Sequence, residues 1–260
     1  MNYSDYSAQW SSKRSSNQHF AHDFLEKPAI YSLLPNLEGL SVLCLGCGSG
    51  EECEELYQRG ATRVVGIDNA EGLIDWAKNS YPHLEFEVAD MLNLHYPQAS
   101  FDLVFSSLAF HYIENWDNLF ATIRNVLKPG GSCIFSTHHP IKWGSQSIKN
   151  KEYTQFLMGY KKIKSPHLSS QSTNKITQNY TIFGDYLTKR PINETLFGNL
   201  EITHYHRPIS DMINTFLNAG FSINSMLEPL PVSESASAKP DFYEVHSRIP
   251  LFVLFSLRLK

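Results

Sequence analysis

The sequence predicts an α/β fold, a mostly parallel sheet with helices on both faces. Two observations predict it. Between residues 33 and 137, short apolar runs alternate with segments of helical period, and the first run flows into a glycine-rich loop that opens a helix. Short strands separated by helices need crossover connections, which lay the strands parallel and cover the sheet twice. At 260 residues the chain suits one domain with a sizeable insertion.

The elements follow in order. Residues 41–45 (Ser-Val-Leu-Cys-Leu) read as a buried strand closed by glycines, and a helix runs from Glu51 to a stop at Gly60. Residues 63–67 form a second strand, and 71–78 a second helix with Leu73, Ile74 and Ala77 on one face. Residues 84–88 and 101–106 read as the third and fourth strands. The clearest helix covers 115–127, where Trp116, Leu119, Phe120, Ile123, Val126 and Leu127 recur at helical spacing. Lys128-Pro129-Gly130-Gly131 ends it, and 133–136 is a fifth strand. The alternation then breaks: 140–201 is rich in Ser, Thr, Asn, Lys and Tyr, with weak strand character near 179–183. So long a segment reads either as a surface excursion or as a cap over a site. Order returns with Ser210 as a helix N-cap, Ile213, Phe216 and Leu217 on one face, a stop at Gly220, and strands at 222–227 and 251–257.

Composition narrows the partners. Charged residues make up 18% with a net charge of -4, and the densest basic run is Lys161-Lys162-Ile163-Lys164, which speaks against nucleic acid. The longest apolar stretch, 251–257, is too short to cross a bilayer. Residues 1–16 are polar, without the apolar core of a secretion signal, and the four cysteines fit no disulfide framework; a cytoplasmic protein with reduced thiols is the expectation. Cys44 and Cys47 have C-x-x-C spacing, but no second pair completes a zinc site.

The chemistry gathers at Gly46-Cys47-Gly48-Ser49-Gly50, where glycines allow tight turning and close approach of a ligand to the main chain. Asp68 ends the second strand, where a carboxylate can accept from both ribose hydroxyls; Asp90 ends the third, placed for an adenine amino group, with Met91 to pack on the ring. A dinucleotide fingerprint wants glycine at position 51, and this chain has Glu51, followed by Glu52, Glu54 and Glu55. Four carboxylates at a helix N-terminus suit its dipole and repel a pyrophosphate, but they tolerate a cationic sulfonium. That balance favours S-adenosylmethionine (SAM) over NAD or FAD.

Residues 43–50, Asp68, Asp90, Phe101-Asp102-Leu103-Val104 and Leu127-Lys128-Pro129-Gly130-Gly131 resemble, in order, the motifs of class I SAM-dependent methyltransferases. The branch they resemble includes ubiquinone- and menaquinone-pathway enzymes and many small-molecule methyltransferases. The resemblance covers about 36–137, weakens through the insertion and recovers at Tyr205-His206-Arg207-Pro208. It implies a Rossmann-like seven-stranded sheet, its last strand antiparallel, with a cap-like insertion before the last two strands. The single domain then divides into an N-terminal lid or helical segment (1–35), a SAM-binding core (36–139), a substrate cap (140–205) and a C-terminal helix with strands (206–260). The resemblance also implies that Gly46, Cys47 and Gly48 contact the methionine part of SAM. Asp68 takes the ribose, Asn69 flanks the adenosine, Asp90 and Met91 hold adenine, and Ser106 lies near the methionine end. Where the family usually has an acid, this chain has Cys44, which permits a second reading: a protein that holds SAM or S-adenosylhomocysteine without turnover.

Methyl transfer from a sulfonium to a small-molecule acceptor is an in-line displacement, so positioning supplies much of the rate, and a base is needed only if the acceptor must lose a proton. His111 and Tyr112 follow the fourth strand and His138 and His139 the fifth, while His204-Tyr205-His206-Arg207 can return over the same edge. His139 and His206 are the candidate bases, and His111, Tyr112, His138 and Tyr205 the candidate acceptor contacts. A metal site of His138, His139, His204 and His206 is disfavoured because no acid is tied to it by spacing, so no metal is expected. Tyr3, Tyr6 and Trp10 read either as a lid over the cofactor or as a polar tail.

Overall fold

The computed structural model describes residues 20–150, 152–162, 180–196 and 200–260. Tyr3, Tyr6 and Trp10 lie outside them. A π-helical turn, His22–Glu26, leads into α1 (Lys27–Ser32). The core then runs β1 (Ser41–Leu45), α2 (Glu51–Gln58), β2 (Arg63–Asp68), α3 (Glu71–Ser80), β3 (Glu85–Val88), β4 (Phe101–Ser106), α4 (Trp116–Val126) and β5 (Leu127–His138). After the insertion come α6 (Ile209–Asn218), β12 (Phe221–Leu227), α7 (Glu234–Ala238), α8 (Pro240–His246) and β13 (Phe252–Leu259).

Seven strands form one sheet in the order β12-β13-β5-β4-β1-β2-β3. The pairs β1–β2, β1–β4, β2–β3 and β4–β5 are parallel, and β13 runs antiparallel to both its neighbours. This is the Rossmann-like sheet with an antiparallel last strand that the motifs imply. Side chains of a strand alternate between faces, so each central strand feeds two cores. Leu43, Leu45, Val65, Ile67, Val104 and Phe135 point to one face; Val42, Cys44, Val64, Leu103, Phe105 and Ile134 point to the other. The apolar stripe of α4 closes the first core: Phe120 meets Phe135 edge-on at 5.8 Å between centroids and Phe216 of α6 at 4.9 Å.

Two element boundaries differ from expectation. The sequence places a stop at 128–131, yet β5 begins at Leu127, because the ladder pairs Phe101 with Leu127 and resumes at Leu103–Ser132 across an irregularity. The segment is thus absorbed as a bulge within the strand. Ser210 does not cap its helix. Pro208 occupies the N-cap with extended backbone, its carbonyl accepting from the amides of Asp211 (3.0 Å) and Met212 (3.3 Å), and Ser210 falls inside the first turn.

The insertion opens with α5 (Pro140–Gly144) and carries three antiparallel hairpins: β6 (Gln146–Lys149) with β7 (Thr154–Leu157), β8 (Gly159–Lys162) with β9 (Tyr180–Phe183), and β10 (Arg190–Leu196) with β11 (Leu200–His206). The first two hairpins are largely exposed, whereas β11 alternates and buries Leu200, Ile202, His204 and His206. The Asp185 amide donates to the Gly144 carbonyl at 2.7 Å, pinning together the two ends of the outer excursion. Among the described residues, no helix is long and apolar enough to cross a membrane.

Candidate active site

The site starts where β1 ends. Gly46 turns with φ +68°, and a Cβ on it would collide with Ala109 Cβ in the segment after β4. Gly48 also has positive φ (+53°), but a Cβ there would meet nothing within 4 Å, so its backbone faces open space that a ligand can occupy. The Cys47 amide donates to the Ile67 carbonyl and the Gly48 amide to Asp68 Oδ2, both at 2.9 Å. Asp68 Oδ1 accepts from the Ala70 amide at 2.9 Å. One carboxylate thus ties the glycine loop to the end of β2. Burial raises the Asp68 carboxyl above its ordinary value, against the pull of the amides of Ala70, Gly48 and Asn69.

The other predicted contacts differ in what they can offer. Asn69 and Asp90 are exposed; Asp90 is held by the Leu92 amide at 2.9 Å and Asn93 Nδ2 at 3.3 Å. Met91 is half-buried and reaches toward Gly46. The Cys47 side chain is buried in the core, so only its backbone is available. Ser106 is buried too, and its hydroxyl donates to the Leu45 carbonyl at 2.8 Å, which joins β4 to β1. The Ser106 hydroxyl is therefore committed inside the sheet. All four cysteines are free and buried, and burial pushes the Cys44 thiol up.

Three groups absent from the sequence reading stand beside this loop. Glu26 is fully buried, with Oε1 accepting from Ser136 Oγ (2.5 Å) and Ser107 Oγ (3.1 Å). His22 Nε2 lies 3.1 Å from Glu26 Oε2 and 3.6 Å from Glu52 Oε1, and Lys27 Nζ lies 3.4 Å from the same Glu52 oxygen. Burial alone would raise the Glu52 carboxyl, but His22 and Lys27 reverse the shift and hold it below the ordinary range. His22 and Glu26 are four apart on one helical face, and that spacing was the available signal.

At the far side, the structure gathers histidines from three segments. His111 sits in a 3-10 turn (Phe110–Tyr112), His138 ends β5 and His204 lies in β11. Their ring centroids are 4.1 Å (His111–His138), 5.0 Å (His111–His204) and 5.2 Å (His138–His204) apart. Tyr112 stacks on His204 at 5.1 Å, and Trp143 Nε1 donates to His138 Nδ1 at 2.9 Å. Burial, with neighbouring positive groups adding to it, holds His111 and His138 well below the usual imidazole range. A small cavity with room for about one water is lined here by His111, His138, Trp143, Tyr205, His206 and Arg207. Ala109 packs against the glycine loop and His111 is two residues on, so a single turn joins the two regions.

The two candidate bases separate. His139 Nδ1 accepts from the Ile141 amide at 3.2 Å and its Nε2 faces Glu228 Oε1 at 2.8 Å, so both nitrogens are engaged in holding α5 and the 228 loop. That corrects the assignment of His139 as a base. His206 Nε2 lies 2.9 Å from the Tyr186 carbonyl, an acceptor, so the proton sits on Nε2. Its Nδ1 is buried with no hydrogen-bond partner. Of the four histidines that the sequence analysis disfavoured as a metal set, His138 and His204 come together, joined by His111.

Comparison with known proteins agrees with this geometry. Residues 43–135 match a family described as a methyltransferase domain. An uncharacterised protein of Haemophilus influenzae is 31% identical over 245 residues, covering 90% of this chain and 87% of its own length. The solved structure of an S-adenosylmethionine-dependent methyltransferase from Mesorhizobium loti superposes with a TM-score of 0.70 at 30% identity, covering 90% of this chain and 97% of that one. A trans-aconitate 2-methyltransferase of Shigella dysenteriae is 32% identical over 130 residues, 48% of this chain, and the match spans 49% of that relative's length.

Proposed function

The chain belongs to the class I SAM-dependent methyltransferases, and from that premise we propose that it moves the methyl group of SAM onto a small-molecule acceptor seated under the insertion. The observation that carries this reading is the lock between Gly48 and Asp68. It presents a half-buried carboxylate and an open stretch of backbone side by side, the pairing a ribose and an amino-acid tail require. When bound, SAM supplies a methyl group on a cationic sulfur.

This chain's residues do the rest. Asp68 accepts from the ribose hydroxyls, Asp90 and Met91 flank adenine, and the backbone of residues 46–48 lies along the methionine part. The Glu52 carboxyl, held below the ordinary range by His22 and Lys27, favours the cationic end of such a ligand over a pyrophosphate. His111, Tyr112, His138 and Tyr205 form the acceptor wall. His206 Nδ1 is the atom that takes a proton where the acceptor must lose one. The cavity beside them has room for about one water.

The relative named for trans-aconitate and this chain share only about half of that relative's length, so the acceptor does not transfer with the match. Small polar carboxylates are the first class to screen. A second reading, SAM or S-adenosylhomocysteine held without turnover, is favoured by the buried Cys44 in place of the usual acid. Calorimetric titration with SAM, S-adenosylhomocysteine and NADH side by side tests the site, and S-adenosylhomocysteine release across an acceptor panel tests turnover. Micromolar binding of both sulfur ligands without NADH supports the site; binding with no release across the panel favours the second reading. Binding of NADH alone ends both.

A further inference from the structure

We propose that His111, His138 and His204 form a binding site for one divalent transition-metal ion of the zinc type, with the Glu194 carboxylate beside it. One ligand nitrogen from each of the three imidazoles lies within 4.8 Å of the others. The three residues come from separate segments, the turn after β4, the end of β5 and strand β11, so chain proximity does not explain their meeting. His111 and His204 are 5% and 3% exposed, and His111 Nδ1 and His204 Nδ1 are buried without hydrogen bonds, while His204 Nε2 faces the Glu194 carboxylate. Buried polar atoms left unpaired are costly, and the unpaired nitrogens of His111 and His204, in rings 5.0 Å apart and both beside His138, share one remedy.

The donor set selects the ion. Imidazole nitrogen suits Zn²⁺, Co²⁺, Ni²⁺ and Cu²⁺, whereas Mg²⁺ and Ca²⁺ want a shell of oxygens that is not present. Glu194 Oε2 lies 3.1 Å from His204 Nε2, placed either to ligate or to orient that ring. A tetrahedral ion with bonds of about 2.0–2.1 Å draws its donors to roughly 3.4 Å apart, a contraction that ring rotation supplies. The ion would then staple the insertion, through β11, onto the ends of β4 and β5.

Trp143 makes the proposal sharply testable. A neutral imidazole has one lone pair to give, and the Trp143 indole occupies that of His138 through the 2.9 Å bond to Nδ1. His138 can therefore ligate only if the indole bond breaks. Trp143 also stacks on His204 at 5.2 Å, so it lies against two of the three ligands. Metal binding must change its environment.

The experiment titrates the full-length protein, dialysed against a chelator, with Co²⁺ and then Zn²⁺, following visible absorption and tryptophan fluorescence. The expected result is one equivalent of Co²⁺ at micromolar concentration, with the strong visible bands of a four-coordinate ion, quenched fluorescence and displacement by Zn²⁺. His111→Ala and His204→Gln should each weaken binding at least tenfold. Trp143→Phe, which frees the His138 lone pair, should tighten it by roughly fivefold, an effect that a purely structural histidine stack does not predict. His83→Ala, an exposed histidine paired to Glu54, should change nothing. Absence of a stoichiometric Co²⁺ spectrum in the unmutated protein overturns the proposal, as does loss of the signal only in His83→Ala. The site does not depend on the methyl-transfer reading, since SAM calorimetry is scored separately.

Discussion

Gly46 and Gly48 are two residues apart and should fail for different reasons when substituted. Gly46→Ala adds a collision with Ala109 to a left-handed backbone, and the two together should cost about 3–5 kcal/mol, measured by urea unfolding. Gly48→Ala meets no atom, so it should cost only about 1–2 kcal/mol, yet its methyl group enters the ligand space and should weaken SAM binding tenfold or more by calorimetry. Wild-type affinity in Gly48→Ala would move the ligand off this loop. Asp68→Ala should also cost at least tenfold in affinity, through lost charge-assisted bonds. Burial raises the Asp68 carboxyl, so it takes up its proton at a higher pH than an ordinary aspartate. SAM affinity should therefore begin to fall on acidification before the usual carboxylate range near pH 4 is reached. A flat profile down to that range would assign the ribose to another group.

At the scale of elements, the N-terminal helix is held by a titratable clasp. Burial lowers the His22 imidazole, but Glu26 and Glu52 outweigh it and the net direction is up from the ordinary value of 6.5, with Lys27 opposing. A raised histidine contributes stability that is complete below about pH 6.5 and is lost as pH rises through the folded-state value. The protection of amides 22–32 against hydrogen exchange, relative to their intrinsic rates at each pH, should therefore fall above neutrality, and His22→Gln should abolish that dependence. The return from the insertion is held by Arg207, which donates to the carbonyls of Glu114 (2.7 Å) and Ile113 (3.1 Å), pairs with Asp211 at 3.2 Å and lies 4.3 Å over Trp116. Arg207→Met should cost about 2–4 kcal/mol, from three lost charge-assisted contacts that the new side chain only partly replaces. A neutral result would mean that Trp116 and α6 carry the junction unaided.

At the scale of the whole molecule, two cores on opposite faces of one sheet make the domain, and the outer hairpins hang from a pinned base. Gly144 and Asp185 are joined by a backbone bond, so residues 146–183 leave and return at one point. Replacing them with a two-glycine linker should shift the melting temperature by no more than a few degrees, because the removed hairpins are largely exposed. SAM binding should survive, and acceptor turnover should fall. A collapse of the fold would show that these hairpins support the sheet.

The sequence by itself determined the sheet and the glycine loop tied to the carboxylate at the end of β2. β1 and β4 were legible to the residue and α4 to within one, because each is written in local periodicity and a short-range stop: Asn115 caps α4 by accepting from the Asn118 amide. Gly46, Gly48 and Asp68 were legible because β1 and β2 pair directly, in a register that follows from their apolar pattern. Of the hairpins β6–β7 and β8–β9 only β9 showed, as the weak strand character near 179–183; β6, β7 and β8 were not legible, because strands exposed on both faces carry little alternation to read. Only tertiary structure decided which histidines meet. His138 and His139 are adjacent, yet the first ends β5 and meets His111 and His204 while the second caps α5 and faces Glu228. Local pattern fixes the face a side chain takes; what waits on that face is set by packing between segments as much as 110 residues apart, a separation that no short-range signal spans.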